Sequence, residues 1–358
     1  MTSTPLLFSP MTIRGLTLPH RLWVSPMCQY SALEGVVQYW HQVHLGALAL
    51  GRPGLIIAEA TSVVPEGRIT PDDSGLWNDE QVQAWRPIID FSHSQGTPMA
   101  LQLAHAGRKA STSSPFKSDG SGVGVEQGGW ETEAPSALAY GKLPRPHELS
   151  PTRIDTIVES FAAATRRAVN AGFDAIEVHA AHGYLLHEFL SPLSNLRDDS
   201  YGGSFEGRSR IVLEIVERVR SAMPESMPLF VRISATDWLE GGWDLEASIR
   251  ISHQLAQRGV DLIDVSSGGL SPEQAIKLGP GYQMPFAEAI SREVEVAVAA
   301  VGLITEASAA EQALQSGVAN AVLMGREFLR DPRYAMRAAY ELGVSLEWPG
   351  QYLRAQRV

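Results

Sequence analysis

One cysteine, Cys28, occurs among 358 residues, so no intramolecular disulfide can form and a reducing, cytoplasmic setting is expected. Long hydrophobic runs are missing as well. The longest, Val296 to Ile304, has nine residues, whereas a helix that crosses a bilayer needs about 20. Basic charge is scarce: 29 Lys and Arg stand against 40 Asp and Glu, a formal net charge of −11. A surface of that sign repels phosphate backbones, so neither nucleic acid nor membrane is an expected partner. The opening Met1-Thr2-Ser3-Thr4-Pro5 has no basic start followed by an apolar stretch, and no signal peptide is expected. No Gly-x-Gly-x-x-Gly follows an early strand-like run, which weakens a doubly wound dinucleotide-binding sheet, the structural alternative.

What is present is a rhythm. Short β-rich apolar runs fall at Leu22–Met27, Gly54–Ala60, Pro98–Leu103, Ala175–His179, Leu229–Ile233, Leu262–Ser266, Val294–Val301 and Ala319–Met324. Most are nearly continuous in apolar residues, as parallel strands buried on both faces require. Between them lie helical patterns at Arg153–Asn170, Arg208–Met223, Asp244–Arg258, Glu306–Ser316 and Pro332–Leu342. Ile154, Ile157, Val158, Phe161 and Ala162 form a clear stripe at helical spacing in the first of these. With 44% hydrophobic residues the chain can build one large core. Eight strands alternating with helices point to an α/β protein, a (β/α)₈ TIM barrel formed as a single domain over residues 1–358. One stretch breaks the rhythm. Residues 106–150 are rich in Gly, Ser and Pro with isolated aromatics such as Trp130, and a loop this long is usually functional. It follows the third strand, so a lid insertion is expected there.

Polar residues gather at the C-terminal ends of these strands, the face where barrels keep their chemistry. They are Cys28 and Tyr30, Thr61, Gln102 and His105, then His179, His182 and Tyr184. Arg232, Ser266 and Ser267, Gly302, and Gly325-Arg326 complete the series. The densest block is His179-Ala180-Ala181-His182-Gly183-Tyr184. Two imidazole N–H groups can grip one oxygen while a phenol two residues on delivers a proton, which is equipment for polarising and protonating a carbonyl compound. A metal site using His105, His179 and His182, or two structural histidines, is the alternative. His41 and His44 precede the second strand and read as helix-packing residues on the face opposite the site. Arg232 sits inside an apolar strand, either in a core salt bridge or facing a group that becomes negative. Gly302, Gly325 and Arg326 either turn the chain or build a phosphate site after strands seven and eight. Cys28 is either an inert buried thiol or, with positive charge nearby, a thiolate-like group at the mouth of strand one.

Taken together these motifs resemble the old yellow enzyme family of FMN-dependent ene-reductases, in particular its bacterial thermophilic-like NADPH dehydrogenase subgroup. Ser25-Pro26-Met27-Cys28-Gln29-Tyr30 is similar to the subgroup's opening motif, and Gln102-Leu103-Ala104-His105-Ala106-Gly107-Arg108-Lys109 to its strand-three motif. The His179 to Tyr184 block, continuing through Ser191-Pro192 and Tyr201-Gly202-Gly203-Ser204, is the most specific part. The resemblance implies tightly but non-covalently bound FMN, lined by Ser25, Pro26, Met27, Cys28, Ala60, Gln102, Arg232, Gly302, Gly325 and Arg326. Arg232 is expected at the flavin N1/O2 edge, Cys28 near N5, and Arg326 at the phosphate. NADPH, or NADH, is the implied hydride donor. The implied substrates are α,β-unsaturated carbonyl or nitro compounds, with hydride passing from FMN N5 to the C=C bond. His179 and His182 are expected to bind the substrate oxygen, Tyr184 to protonate, and Tyr30 to close the pocket. A dihydrouridine synthase, another flavin barrel, would have to hold tRNA, against a charge of −11. Arg354 resembles an arginine that reaches a neighbouring subunit's site, which implies a homodimer or homotetramer with residues 344–358 at the interface. The chain departs from the family at Gly207-Arg208, where Asn-Arg is usual, and its tail lacks a terminal aromatic.

Overall fold

A computed structural model describes residues 4–356; the first three residues of the N-terminus, and Arg357 and Val358 of the C-terminal tail, lie outside the described residues. Eight parallel strands close into a barrel. They are β1 (Leu22–Val24), β2 (Ile56–Ser62), β3 (Met99–Ala104), β4 (Ala175–Ala180), β5 (Leu229–Ser234), β6 (Leu262–Ser266), β7 (Ala297–Ala300) and β8 (Ala321–Met324). Each pairs with its sequence neighbours, and β8 returns to β1. Helices α1 (Tyr39–Leu50), α2 (Asp79–Ser94), α3 (Pro151–Ala171), α4 (Leu185–Leu190) and α5 (Phe205–Ala222) follow the first four strands. The later ones are α6 (Leu245–Gln257), α7 (Met284–Glu293), α8 (Ala307–Gln315), α9 (Arg326–Arg330) and α10 (Tyr334–Glu341). No helix among the described residues is long and apolar enough to cross a membrane.

The helix boundaries follow from their caps. Ser150 starts α3, its hydroxyl oxygen accepting from the Arg153 N–H with Pro151 in the first turn, and the expected stripe is buried. Asp244 caps α6 in the same way through Ala247. Ser204 caps α5 through the Gly207 N–H. The departure at Gly207 has a steric reason: a Cβ there would sit 2.0 Å from the Gly202 carbonyl oxygen. Several boundaries move from the sequence expectation, two of them for a clear local reason. The strand expected from Val294 starts at Ala297, because α7 runs to Glu293 and Val294 is its cap. The helix expected from Pro332 starts at Tyr334, and a further short helix, α9, precedes it and ends at Arg330.

The barrel interior is layered. Its floor is apolar: Trp23 and Phe230 stack with ring centroids 5.9 Å apart among Ile57, Ala100, Leu262 and Leu323. A short antiparallel hairpin, Met11–Ile13 with Leu16–Leu18, seals the N-terminal end by inserting Ile13 and Leu18 into that cluster. Above the floor lies a polar layer of Gln102, Glu177, Arg232 and Asp264, all buried. The strand register sets it, with Gln102 opposite Glu177 and Arg232 opposite both His179 and Asp264.

The 106–150 excursion leaves β3 and lies over the loop after β2. It holds two short 3₁₀ turns, Gly107–Lys109 and Val125–Gln127, and a two-residue ladder between Glu133–Ala134 and His147–Glu148. Trp130 donates its indole N–H to the Glu66 carbonyl, the Arg68 guanidinium lies 4.9 Å from the Trp130 ring, and Lys117 pairs with Asp72 at 2.7 Å.

Candidate functional site

The site opens at the C-terminal mouth, where the ends of β1, β4, β5 and β6 converge. His179 ends β4 and points into the barrel. Beyond it the chain turns through His182, with φ of 60°, and Gly183, with φ of 71°, before Tyr184 caps α4. This turn brings the His179 ring to 5.1 Å from that of His182 and 5.2 Å from that of Tyr184, centroid to centroid. The three side chains predicted to act together therefore do meet.

The turn is held from every side. The His182 backbone N–H donates to Ser234 Oγ at 2.9 Å, and its carbonyl accepts from Lys109 Nζ at 2.7 Å. Lys109 also donates to the Gly269 carbonyl at 3.0 Å, tying the turn to the loop after β6. The Gly183 N–H donates to His187 Nδ1 at 2.9 Å. Since Nδ1 accepts, the proton of a neutral His187 is on Nε2, which lies 2.9 Å from Asp237 Oδ1. Asp237 in turn accepts from the Ser191 hydroxyl and the Trp243 N–H.

The electrostatics keep both imidazoles neutral. Burial, then the charges of Arg232 and Lys109, holds His179 well below the ordinary histidine range. Burial, Arg232, His179 and Lys109 do the same for His182. His182 Nε2 lies 2.6 Å from Ser266 Oγ. His179 Nδ1 hydrogen-bonds no protein atom although it is buried. Burial, then Cys28 and Tyr30, pushes the Tyr184 phenol well above its ordinary value, so it keeps its proton. Lys109, brought down to about 8 by burial, stands 4.8 Å from the Tyr184 ring and 4.7 Å from that of Tyr140, a residue of the excursion.

Across the mouth, Ser25 to Tyr30 run from the end of β1. Ser25 Oγ accepts from Arg232 Nη1 at 3.3 Å, while Arg232 Nε pairs with Asp264 Oδ2 at 3.1 Å. Arg232 is therefore in a core ion pair, and its Nη1 faces the mouth. The Cys28 thiol reaches the Ala60 backbone and the Tyr30 hydroxyl. Its charged surroundings are acidic, not positive. Burial, then the carboxylates of Asp73 and Glu59, pushes the thiol well up, so it stays protonated. The Tyr30 ring is 6.1 Å from that of Phe116, which is 66% exposed on the excursion.

His41 packs between helices as expected, buried with its ring 6.4 Å from that of Trp85, but the place of His41 and His44 along the barrel differs from expectation. Helix α1 begins directly after the β1 loop, so its first turn is at the mouth, not the opposite end. His41 Nε2 lies 3.0 Å from Glu59 Oε1, and Glu59 Oε2 accepts the Gln29 backbone N–H. The pair backs the Ser25–Tyr30 segment. His105 is turned inward, its Nδ1 accepting from the Gly107 N–H. Among the described residues no three His, Cys, Asp or Glu side chains converge as a metal set.

At the ends of β7 and β8 a hollow of about 260 Å³ is lined by Ser25, Met27, Arg232, Gly302, Gly325 and Arg326, joined by Ser266, Tyr282 and Gln283. Arg326 is exposed at its rim, in the first turn of α9. The sequence reading did not weigh Glu177, Lys109, Ser234, Asp264, Gln283, His187 or Asp237. Glu177 and Asp264 carry the same signal as Arg232, a charge within an apolar strand. Arg354 lies apart, exposed on a 3₁₀ turn (Gly350–Ala355) whose Tyr352 ring is covered by Arg333 at 4.4 Å.

A profile described as the NADH:flavin oxidoreductase / NADH oxidase family matches residues 6–344. An NADH:flavin oxidoreductase of Gibberella zeae is 46% identical over 96% of this chain and 87% of its own length. An NADPH dehydrogenase of Bacillus subtilis is 44% identical over 97% of this chain and 98% of its own. Among solved structures, morphinone reductase aligns at a TM-score of 0.79 with 29% identity, over 97% of this chain and 92% of that one. A further structure describes morphinone reductase in complex with tetrahydroNAD, at a TM-score of 0.78.

The residues present suit FMN. The hollow offers a guanidinium at its rim for a phosphate, and the mouth offers a buried guanidinium and an imidazole nitrogen without a protein partner.

Proposed function

The chain belongs to the NADH:flavin oxidoreductase / NADH oxidase family and is an FMN-dependent NAD(P)H oxidoreductase of the old yellow enzyme kind; on that footing we propose that it reduces the C=C bond of α,β-unsaturated carbonyl or nitro compounds, with Tyr184 as proton donor. The observation that carries this reading is the neutral His179–His182 pair packed edge-on beside a protonated phenol. When bound, FMN supplies hydride exchange, accepting from a reduced nicotinamide and donating to the alkene carbon.

The chain's own residues do the rest. Arg326 would hold the cofactor phosphate at the rim of the hollow, and Gly302 and Gly325 would allow the backbone to approach it. Arg232, pinned by Asp264 with its Nη1 toward Ser25 at the mouth, would offset the negative charge that the ring system gains on reduction. Ser25, Pro26, Met27, Cys28, Ala60 and Gln102 would line the rest of the cofactor. His179 and His182 hydrogen-bond the substrate oxygen. His182 Nε2 lies 2.6 Å from Ser266 Oγ, whose hydroxyl also lies 3.3 Å from Gln283 Oε1; in the tautomer in which Ser266 donates to Nε2, the proton on Nδ1 is left for the substrate. As the oxygen gains charge, these preorganised donors stabilise it without reorganising. Tyr184 then delivers its proton to Cα; the Lys109 ammonium over its ring eases the charge left behind. Tyr30, Phe116 and Tyr140 cover the pocket and exclude water.

Arg354 and the exposed Tyr39, Trp40 and Val43 of α1 support a homodimer or homotetramer in which Arg354 reaches a neighbouring mouth. Trp40 donates its indole N–H to the Gln29 side chain, so that surface is continuous with the segment carrying Tyr30.

The test is an anaerobic absorbance spectrum before and after NADPH, followed by 2-cyclohexenone. A yellow band that bleaches with NADPH and returns with the enone is expected. A band that stays bleached would overturn the substrate class.

A further inference from the structure

The polar layer beneath the mouth holds more carboxylate than it can neutralise. Glu177 on β4 and Asp264 on β6 are 0% exposed, and Arg232 is the cation between them. Its guanidinium is committed: Nε to Asp264 Oδ2 at 3.1 Å and Nη1 to Ser25 Oγ at 3.3 Å. Glu177 has a neutral partner, Gln102 Nε2, which donates to its Oε1 at 2.7 Å. Its Oε2 hydrogen-bonds no protein atom.

With both carboxyls ionised, the layer would carry a net negative charge in a dry barrel. It would do so directly below the guanidinium that must offset the charge a flavin gains on reduction. Such burial of an unpaired charge is strongly disfavoured, and the group keeps its proton instead. Burial raises Asp264 as well, but Asp264 has the guanidinium at 3.1 Å and Glu177 only the Gln102 amide, so of the two acids Glu177 is the one that holds the proton. Burial, and then the charge of Asp264, accordingly raises Glu177 far above the ordinary carboxylate range, with Arg232 opposing.

We propose that Glu177 is a redox-linked proton site: its carboxyl carries the proton that lets two acids share one guanidinium, and it binds that proton more tightly when the flavin is reduced. The inference rests on the flavin reading above. The balance is simple. A reduced nicotinamide loses hydride, two electrons and one proton, to the flavin. Where Glu177 was ionised beforehand, its carboxylate takes a second proton from solvent. No bond other than the O–H of Glu177 forms in that second event.

The sign fixes the signature. Where Glu177 is already protonated, reduction takes up one proton per two electrons, and the potential falls by about 30 mV per pH unit. Above the pH at which Glu177 ionises in the oxidised enzyme, a second proton is taken up and the slope doubles to about 60 mV. A slope that steepens as pH rises is opposite to that of a flavin ring nitrogen, whose ionisation in the reduced state makes it shallower. The charged groups facing Glu177 are Arg232 on β5 and Asp264 on β6; Gln102 on β3 is uncharged, and His179 is held neutral. Lys109, Cys28, Tyr30 and Tyr184 at the mouth above, and Glu188 behind Gly107, are further groups that titrate in an alkaline range.

The experiment is a potentiometric titration of the FMN-loaded protein from about pH 6 to about pH 10, for the wild type, Glu177→Gln and Asp264→Asn. The wild type should steepen and Glu177→Gln should keep the shallower slope throughout. Asp264→Asn, by freeing Arg232 to pair with Glu177, should move the steepening to lower pH, which serves if the glutamine variant does not fold. A single shallow slope in the wild type would overturn the proposal while leaving the flavin site intact, as would steepening that persists in Glu177→Gln. A protein that takes up no FMN would remove the reading on which the proposal rests, and the two failures are told apart by the absorbance band.

Discussion

Replacing Gly183 by alanine tests whether the histidine–tyrosine turn is locked against the neighbouring loop. Gly183 has φ of 71°, and a Cβ there would stand 2.1 Å from the Gly269 carbonyl oxygen and 2.6 Å from its carbon. Carbon–oxygen contacts settle at about 3.3–3.6 Å, so the two loops must separate by rather more than ~1 Å. Both clashing atoms are backbone, and no rotamer change relieves them. The left-handed conformation alone costs an alanine roughly 1–2 kcal/mol. Separation also breaks the Lys109 bridge between the His182 and Gly269 carbonyls. A total loss of about 2–4 kcal/mol follows.

The same displacement moves His182 and Tyr184 relative to His179. A misplacement of about 1 Å costs on the order of 100-fold in rate. Urea denaturation should therefore give the stability loss, and stopped-flow mixing of the reduced enzyme with 2-cyclohexenone the rate loss. FMN should be retained, because the hollow at β7 and β8 is untouched. A variant within about 0.5 kcal/mol of the wild type and with an unchanged enone rate would refute the claim that this contact positions the site.

Tyr184→Phe should leave reduction by NADPH intact and slow alkene reduction by about 10²- to 10⁴-fold, as loss of a general acid does; equal slowing of both half-reactions, read by stopped-flow absorbance, would remove the phenol from the proton-donor role. Arg326→Ala should lose FMN on dilution or gel filtration, and a band that survives both would count against the phosphate assignment. Glu188, buried with its Oε1 accepting the Arg108 N–H, is raised from 4.5 to about 8 by burial. The folded state therefore holds this proton more tightly, and stability falls as pH rises from about 4.5 to about 8. Glu188→Gln should flatten that fall by up to about 1.4 kcal/mol per pH unit, read from urea midpoints across the window, and an unchanged slope would show that Glu188 ionises as readily folded as unfolded.

The barrel was legible because buried parallel strands leave continuous apolar runs, and its mouth because polar residues stand out against them. His179, Tyr184 and Arg232 needed no more than that contrast. Boundaries were less legible where local signals compete, as at Val294, whose β-branched side chain reads as strand although it caps α7. The hairpin plug was missed because Met11 to Leu18 is too short to show alternation against a background of turns. His41 and His44 were misplaced for a topological reason: a helix that follows a strand starts at the mouth, and only its far end lies at the floor. Cys28 could not be judged from sequence at all. Its acidic neighbours, Glu59 and Asp73, come from β2 and the loop beyond it.

Arg232 shows why the alternatives posed by a sequence need not exclude one another. A guanidinium inside a barrel requires a carboxylate, and a cofactor that gains negative charge requires a guanidinium. A point charge would be neutralised by the first and lost to the second. The fork of arginine has two sides, and the register uses them separately. Asp264, opposite on β6, takes Nε, while Nη1 is left toward Ser25 at the mouth. The ion pair therefore aims the cation as well as stabilising it. Its consequence is that Arg232 has no charge to spare for a second acid, so Glu177, opposite Gln102 instead of an arginine, sits in the layer as the neutral member.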